Sequence, residues 1–359
     1  MKKQEVIEAK IAKRKAAKNV TQKDNSLFAH ELEKKFPSIY VLELDDIYLL
    51  NGYLLNLSDL KAYNSYTHTY PISKKRTFLN FGKVILSNLL SKTKEIENAI
   101  FAIDNWSDGY FHWFTDVVPR ILVAQKTENN SNTELVLPKN LEKYDFVQST
   151  GIKLNQKLRF YEDNQVYKIK KLILPSTIAE SGNYDKELMQ DIRKLFALHV
   201  VVGKDTNNGK ELFTQTENHQ QTNSKKIYIS RQKSRYRKIN NEEQVQNLLK
   251  KYNYEIHYFE DYSFEKQIEL IQKTVSLIGL HGAGLTNMLF MNPTTKILEI
   301  RNQEDKHNNC YFSLASDLGI DYYYLLSKGD SSETHAVNVE VDIEKLEQII
   351  LEIENKNIV

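Results

Sequence analysis

The 359-residue chain has one cysteine, Cys310, and so holds neither an internal disulfide nor a cysteine-built zinc site. It has only six prolines and twelve glycines, the glycines at about half the usual ~7%. Collagenous and low-complexity classes are thereby excluded. No apolar run reaches the ~20 residues of a membrane span. Residues 1–25, MKKQEVIEAKIAKRKAAKNVTQKDN, lack the ~7–15-residue apolar core of a secretory signal. An excess of either charge is missing too. The 49 Lys and Arg against 47 Asp and Glu give +2, so no global field draws the chain to nucleic acid. These absences predict a cytoplasmic protein, peripheral at most to the inner face of a membrane.

What is present is ordinary globular material, 41% hydrophobic and 27% charged. At about 150 residues per domain the length suggests two domains. Residues 1–26 read as a basic extension, with eight Lys and Arg against three acidic residues in the first 24. Its pattern suggests a solvated, frayed helix. The alternative is a weak contact with an anionic membrane surface through Val6, Ile7 and Ile11. Residues 27–200 read as an α/β domain, with strands at Tyr40–Leu44, Tyr48–Leu50, Ala99–Ile103, Glu134–Leu137 and Lys171–Leu174. Helices fit Ser87–Leu90, Phe111–Gln125 and Leu188–Leu198. The polar stretch 201–226 reads as a linker or loop. Residues 227–335 alternate five short apolar strands with helices, the pattern of a doubly wound parallel sheet. Residues 336–359 end in a helix with Leu346, Ile349, Ile350 and Ile353 on one face.

Glycine is scarce, yet Gly279, Gly282 and Gly284 fall within six residues, in SLIGLHGAGLTNMLFMNP. A buried strand ends there, the chain turns, and a helix is predicted from about Leu285 to Met291. A helix start presents unpaired N–H groups and a partial positive charge. Glycines without Cβ let a bulky anion approach the main chain. At the carboxyl edge of a parallel sheet this combination predicts a phosphate site. Its main chain runs through Gly282, Ala283, Gly284 and Leu285, with His281, Thr286 and Asn287 as side-chain donors. The alternative is a tight turn with nothing bound. The spacing G-x-x-G-x-G is not the dinucleotide fingerprint, which disfavours an NAD-dependent oxidoreductase. No P-loop occurs. His281-Gly282-Ala283-Gly284 has the look of a lipase oxyanion loop, but the G-x-S-x-G elbow is missing.

A second dense segment is NWSDGYFHWFTDVVPR, residues 105–120. On a helix His112 and Asp116 share a face at i and i+4. A carboxylate beside an imidazole can take or orient a proton, though such a pair is also a common structural feature. Trp113 and Phe114 read as core.

Taken together, two segments resemble glycosyltransferase family 61 (the DUF563 proteins). HWFTDVVPR resembles its His-Trp-x-x-Glu-x-x-Pro-Arg segment, with Asp116 where the family more often has Glu. ISRQKSRYRKINNEEQV and the segment from Phe259 to Pro293 resemble its C-terminal core through Arg231, Arg237, Asn241, Glu242, Phe264, Gln267, His281 to Asn287 and Glu299. The resemblance implies a GT-B fold, two Rossmann-like domains facing a cleft. It implies a nucleotide-sugar donor, commonly a UDP-sugar, on the C-terminal domain and a carbohydrate or glycolipid acceptor on the N-terminal one. It also implies an inverting transfer that needs no metal or other cofactor. A leaving diphosphate then requires cationic and main-chain donors. Arg231, Arg235 and Arg237 are the candidates, while Glu299 is a candidate for the ribose hydroxyls. The base is Asp116, His112 or Asp108. Bacterial surface polysaccharide is the expected product by analogy. The competing expectation is a non-catalytic nucleotide-sugar-binding component of a polysaccharide assembly complex.

Overall fold

The computed structural model describes all residues except 69–71, 128–131, 198–200, 205–210, 214–223, 332, 334, 335 and 356–359. The chain forms two compact units that do not follow each other in sequence. The first comprises Met1–Lys13 and Leu32–Met189. The second comprises Arg14–Glu31, with the short helix α1 (Asn25–Phe28), and Gln190–Val359.

The first unit is built on one mixed sheet. Strand β1 (Lys2–Ile7) pairs antiparallel with β4 (Ile39–Leu50), while β2 (Lys10–Lys13) and β3 (Glu33–Phe36) pair with each other. Beyond β4 the order runs through β5 (Tyr53–Asn56) to β6 (Lys61–Ala62) on one side. On the other side it runs through β10 (Tyr167–Pro175), β7 (Lys94–Ile100), β8 (Glu134–Pro138) and β9 (Lys157–Tyr161). From β10 to β9 all neighbours are parallel, which requires crossover connections. Helices α3 (Tyr110–His112) and α4 (Val118–Gln125), joined by a π-helical turn at Trp113–Val117, link β7 to β8. Helix α5 (Asp145–Lys153) links β8 to β9. Helix α2 (Lys74–Leu89) lies against the antiparallel part of the sheet through Val84, which packs with Tyr48, Leu50, Tyr53 and Leu55.

The N-terminal segment overturns the expected helical extension. Residues 2–7 are a lysine-bearing edge strand, and Lys2 pairs with Glu43 at 2.9 Å. Lys, Glu and Ala favour helix only by tenths of a kcal/mol, and strand pairing outweighs that. Residues 14–31 are no solvated tail either. Arg14 is buried, bonding Glu31 Oε2 at 3.0 Å, with Asp317 at 3.7 Å from its Nε.

In the second unit six strands pair in the order β14 (Glu255–His257), β13 (Lys225–Ile229), β15 (Thr274–Leu280), β16 (Lys296–Asn302), β17 (Asp321–Gly329) and β18 (Val339–Glu340). All are parallel except β18. Most of the predicted 201–226 linker lies outside the described residues. Within it, β11 (Val201–Lys204) pairs with β12 (Glu211–Phe213). Helix α6 (Lys186–Phe196) crosses the boundary between the units. One sheet face buries Tyr228, Ile278, Leu298 and Tyr323 under α7 (Glu242–Lys251) and α10 (Ile343–Asn355), through Val245, Leu249, Leu346 and Ile350. Residues of opposite parity, among them Ile297, Glu299 and Tyr322, point to the other face. There Phe196, Phe264 of α8 (Phe264–Gln272) and Phe290 meet edge to face. Helix α9 (Cys310–Leu318) follows β16. Residues 18 and 19 pair with the open side of β17. Lys18 N donates to Tyr322 O at 2.8 Å, and the Asn19 amide bonds Tyr324 O at 2.8 Å. Among the described residues no helix is long and apolar enough to cross a membrane.

Candidate active site

The first five strands of the second sheet are arranged 2-1-3-4-5. The sheet order therefore reverses between β13 and β15, and in such sheets ligands gather beyond the carboxyl ends of the strands flanking the reversal. Ile229 is paired with Gly279, so the residues two positions on, Arg231 and His281, emerge side by side at that edge.

The glycines here make room for the chain's own side chains. A Cβ on Gly279 would lie 2.8 Å from Leu285 Cδ2, and one on Gly284 would lie 3.1 Å from Ile229 Cγ2. A Cβ on Gly282 would meet Arg231 Nη1, with Cζ at 2.8 Å. Arg231 is held in that position by three bonds. Its Nε donates to Arg237 O at 3.0 Å, and its Nη2 donates to Ser234 Oγ at 2.8 Å and Tyr236 O at 2.9 Å. Nη1, against Gly282, keeps no partner among the described residues. Burial, and then the charge of Arg237, pull the guanidinium below its usual pKa. Arg237 adds a buried Nε that is also without a partner among the described residues. Arg235 is exposed and lies over the Tyr236 ring at 5.0 Å. Positive charge is thus concentrated where the β15 loop turns.

The predicted α-helix from Leu285 is instead a 3₁₀ helix, Ala283–Phe290. Its first turn bond runs from Leu285 N to Gly282 O at 2.9 Å, so the N–H groups of Gly282, Ala283 and Gly284 precede the ladder. Ala283 and Gly284 are partly exposed. Leu285, Thr286 and Asn287 are buried, and the Asn287 amide donates to Gly284 O at 3.1 Å. Asn287 thereby braces the loop through its amide.

Glu299 is corrected as well. It is wholly buried and accepts bonds from His281 Nδ1 and Tyr322 Oη, so it does not face a ribose. Burial opposes its ionisation. His281, Arg301 and Tyr322 more than offset that and hold its carboxyl below the usual range. Asn308 Nδ2 lies 3.1 Å from His281 Nε2, and the Tyr311 ring sits edge-on to the imidazole. Glu299 fixes the imidazole that precedes Gly282.

In the first unit His112 Nδ1 and Asp116 Oδ2 are 2.7 Å apart. Ser181 Oγ donates to the same carboxylate oxygen at 3.2 Å, while Thr115 Oγ1, which donates to Phe111 O at 2.9 Å, lies 3.3 Å from Oδ1. His112 Nε2 has no partner among the described residues, and the imidazole stacks on Trp106 at 5.8 Å. A histidine whose Nδ1–H is held by a carboxylate presents Nε2 as a base. The dyad sits on the π turn. Pro119 follows it and has neither an N–H for the carbonyl of residue 115 nor room for it, so a wider turn is the relaxed solution there. Asp108 is exposed just before the helix and makes no hydrogen bond to His112 or Asp116 among the described residues. Arg120 is buried and donates to Tyr66 O and Pro175 O at 3.0 Å each, its pKa pulled down to about 10 by burial.

Sequence reasoning missed Ser181, Ser234, Asn308, Tyr311 and Tyr322. The tyrosine on β17 carried a faint signal, as a hydroxyl in an apolar strand; the serines carried none. Among the described residues no three His, Cys, Asp or Glu side chains converge as metal ligands.

The Glycosyltransferase 61 family profile matches residues 110–298, more than half of the chain, a span that holds His112, Asp116, Ser181, Arg231 and the Gly282 turn. Over 98 residues the chain is 38% identical to an EGF domain-specific O-linked N-acetylglucosamine transferase of Drosophila melanogaster, covering 26% of this chain and 18% of that protein. The same enzyme of Mus musculus is 33% identical over 102 residues, 27% of this chain and 19% of the relative. The beta-1,2-xylosyltransferase RCN11 of Oryza sativa subsp. japonica is 30% identical over 97 residues, 27% of this chain and 16% of the relative. These matches span less than a fifth of each relative. The family profile reaches further along this chain, and on it the chain belongs to the glycosyltransferase 61 family.

Proposed function

We propose that the protein is an inverting glycosyltransferase of the GT-B type that moves a sugar from a nucleotide diphosphate donor, a UDP-sugar in the first instance, to a glycan hydroxyl without a metal ion. The observation that carries this reading is the Arg231 guanidinium seated on Gly282 at the reversal point of a parallel sheet. There Arg231 Nη1, Arg237 and the N–H groups of Gly282 to Gly284 supply the charge stabilisation a departing diphosphate needs. The relatives, an N-acetylglucosamine transferase and a xylosyltransferase, support sugar transfer as the reaction class.

In the proposed step the acceptor oxygen attacks the anomeric carbon and forms the new glycosidic bond. The bond from that carbon to the diphosphate oxygen breaks, and its electron pair leaves with the phosphate. The acceptor proton goes to His112 Nε2, and Asp116, itself held by Ser181, orients and charge-balances the imidazolium. The anomeric carbon is oxocarbenium-like in passage. The acceptor is a carbohydrate or glycolipid of a surface polysaccharide, and the setting is the cytoplasm.

A thermal-shift panel of UDP-, GDP- and CMP-linked sugars, followed by a nucleotide-release assay with glycan acceptors, tests the reading. Stabilisation by one sugar nucleotide with acceptor-dependent release of the nucleotide is expected. Stabilisation without transfer or donor hydrolysis would instead identify a non-catalytic binding component.

A further inference from the structure

Helix α2 is amphipathic in the wrong direction for a surface helix. Its inner face, Phe81 and Val84 with Asn88 bonded to Tyr48 Oη at 2.8 Å, already packs on the sheet. Its solvent face carries Phe78, Gly82, Ile85, Leu86 and Leu89 at i, i+4, i+7, i+8 and i+11, a continuous apolar stripe widened by Leu79 and Leu90. Phe78 is 79% and Leu89 77% exposed. Six of the thirteen exposed large hydrophobic side chains among the described residues fall in this 13-residue segment, so the patch is not the scatter expected of any surface.

Charge singles out the occupant. From Ser73 to Lys94 there are six cations, Lys74, Lys75, Arg76, Lys83, Lys92 and Lys94, and no carboxylate. Three of them stand in the first turn of α2, where the helix dipole disfavours positive charge. A second copy of this face would set cations against cations. A surface that is apolar in depth and anionic at its rim satisfies both features at once.

We propose that α2 docks the protein on an anionic lipid bilayer, with Phe78, Ile85, Leu86 and Leu89 entering the acyl boundary and Lys74, Lys75 and Lys83 meeting lipid phosphates. This differs from contact through the basic N-terminus, whose residues 2–7 are tied into the sheet.

The test is co-sedimentation of the full chain with phosphatidylcholine vesicles prepared with and without phosphatidylglycerol. Binding only to the anionic vesicles, weakened by salt, is expected. F78S/L89S and K74Q/K75Q should each bind about tenfold more weakly while melting like the wild type. F78W should show a blue-shifted emission on anionic vesicles, which needs no loss-of-binding variant. The proposal is overturned if the wild type does not sediment with anionic vesicles, or if both double variants bind as it does. It is equally overturned if F78S/L89S instead abolishes a self-association seen by gel filtration.

Discussion

Replacing Gly282 by alanine places a Cβ against Arg231 Nη1 and 2.8 Å from Cζ, closer than side-chain carbons pack. The guanidinium must swing away. It then gives up its bonds to Arg237 O, Ser234 Oγ and Tyr236 O. At about 1 kcal/mol net for each hydrogen bond the loss is roughly 3 kcal/mol. For a unit of this size that lowers the melting temperature by roughly 6–12 °C. Nη1 also leaves the loop, so binding of a nucleoside diphosphate in calorimetry should weaken about tenfold or more. A double-mutant cycle isolates the cause. Arg231→Ala removes the same three bonds and the object of the clash. Gly282 also sits at φ 158°, so alanine there keeps a backbone cost of about 1–3 kcal/mol in either background. Added to Arg231→Ala, Gly282→Ala should cost about 3 kcal/mol less than in the wild type, a coupling read in urea denaturation. If Gly282→Ala costs as much in the Arg231→Ala background as in the wild type, the glycine answers to its own backbone and the argument fails.

Asp116→Asn should leave donor binding intact and cut turnover about 10²–10⁴-fold, and an almost fully active variant removes the dyad from the reaction. His112→Ala should be inactive and partly restored by added imidazole, whereas Asp116→Ala should not be; the reverse pattern makes Asp116 the direct base. Glu299→Gln should destabilise the second unit by about 1–3 kcal/mol at neutral pH, because it disturbs the buried bonds that His281 and Tyr322 make to the carboxylate. The carboxyl of Glu299 titrates below its usual range in the fold. Its contribution is therefore complete above the ordinary glutamate value and is lost as pH falls from there through the folded value. The gap in urea midpoints between wild type and variant should be constant from neutral pH to about pH 5 and narrow progressively below about pH 4, and a gap that stays constant down to about pH 2 would refute the linkage.

The strands of the second unit were legible because each is a short apolar run bounded by polar or turn-forming residues, as in Val275–Leu280 before His281 and Lys296–Ile300 after Pro293. Their order was not. Nothing in one sequence says that Ile229 lies beside Gly279, and that pairing sets Arg231 against Gly282. The N-terminal segment misled for a different reason. Its lysines and alanines favour helix locally, but residues 2–7 find their partners at 39–43, and Arg14 finds Glu31 and Asp317. Long-range pairing decides such segments, and propensity does not record it. Ser181 was invisible because it reaches Asp116 across 65 positions. The π turn was half visible, since Pro119 three residues after Asp116 signals a disturbed ladder without saying which kind.

The three clustered glycines do not share one cause. Gly279 yields to Leu285 and Gly284 to Ile229, both apolar neighbours inside the turn, so these two serve packing. Gly282 alone yields to a charged group, and that group keeps one unpartnered nitrogen among the described residues. Packing alone does not require an arginine there, because a leucine would cover Gly282 without needing three acceptors to hold it. Seating a guanidinium on a glycine, at the sheet edge where the strand order reverses, makes sense if its free edge meets an anion. The near-neutral net charge conceals this, since the positive charge proposed to meet the diphosphate is local, centred on an arginine seated where one Cβ is missing.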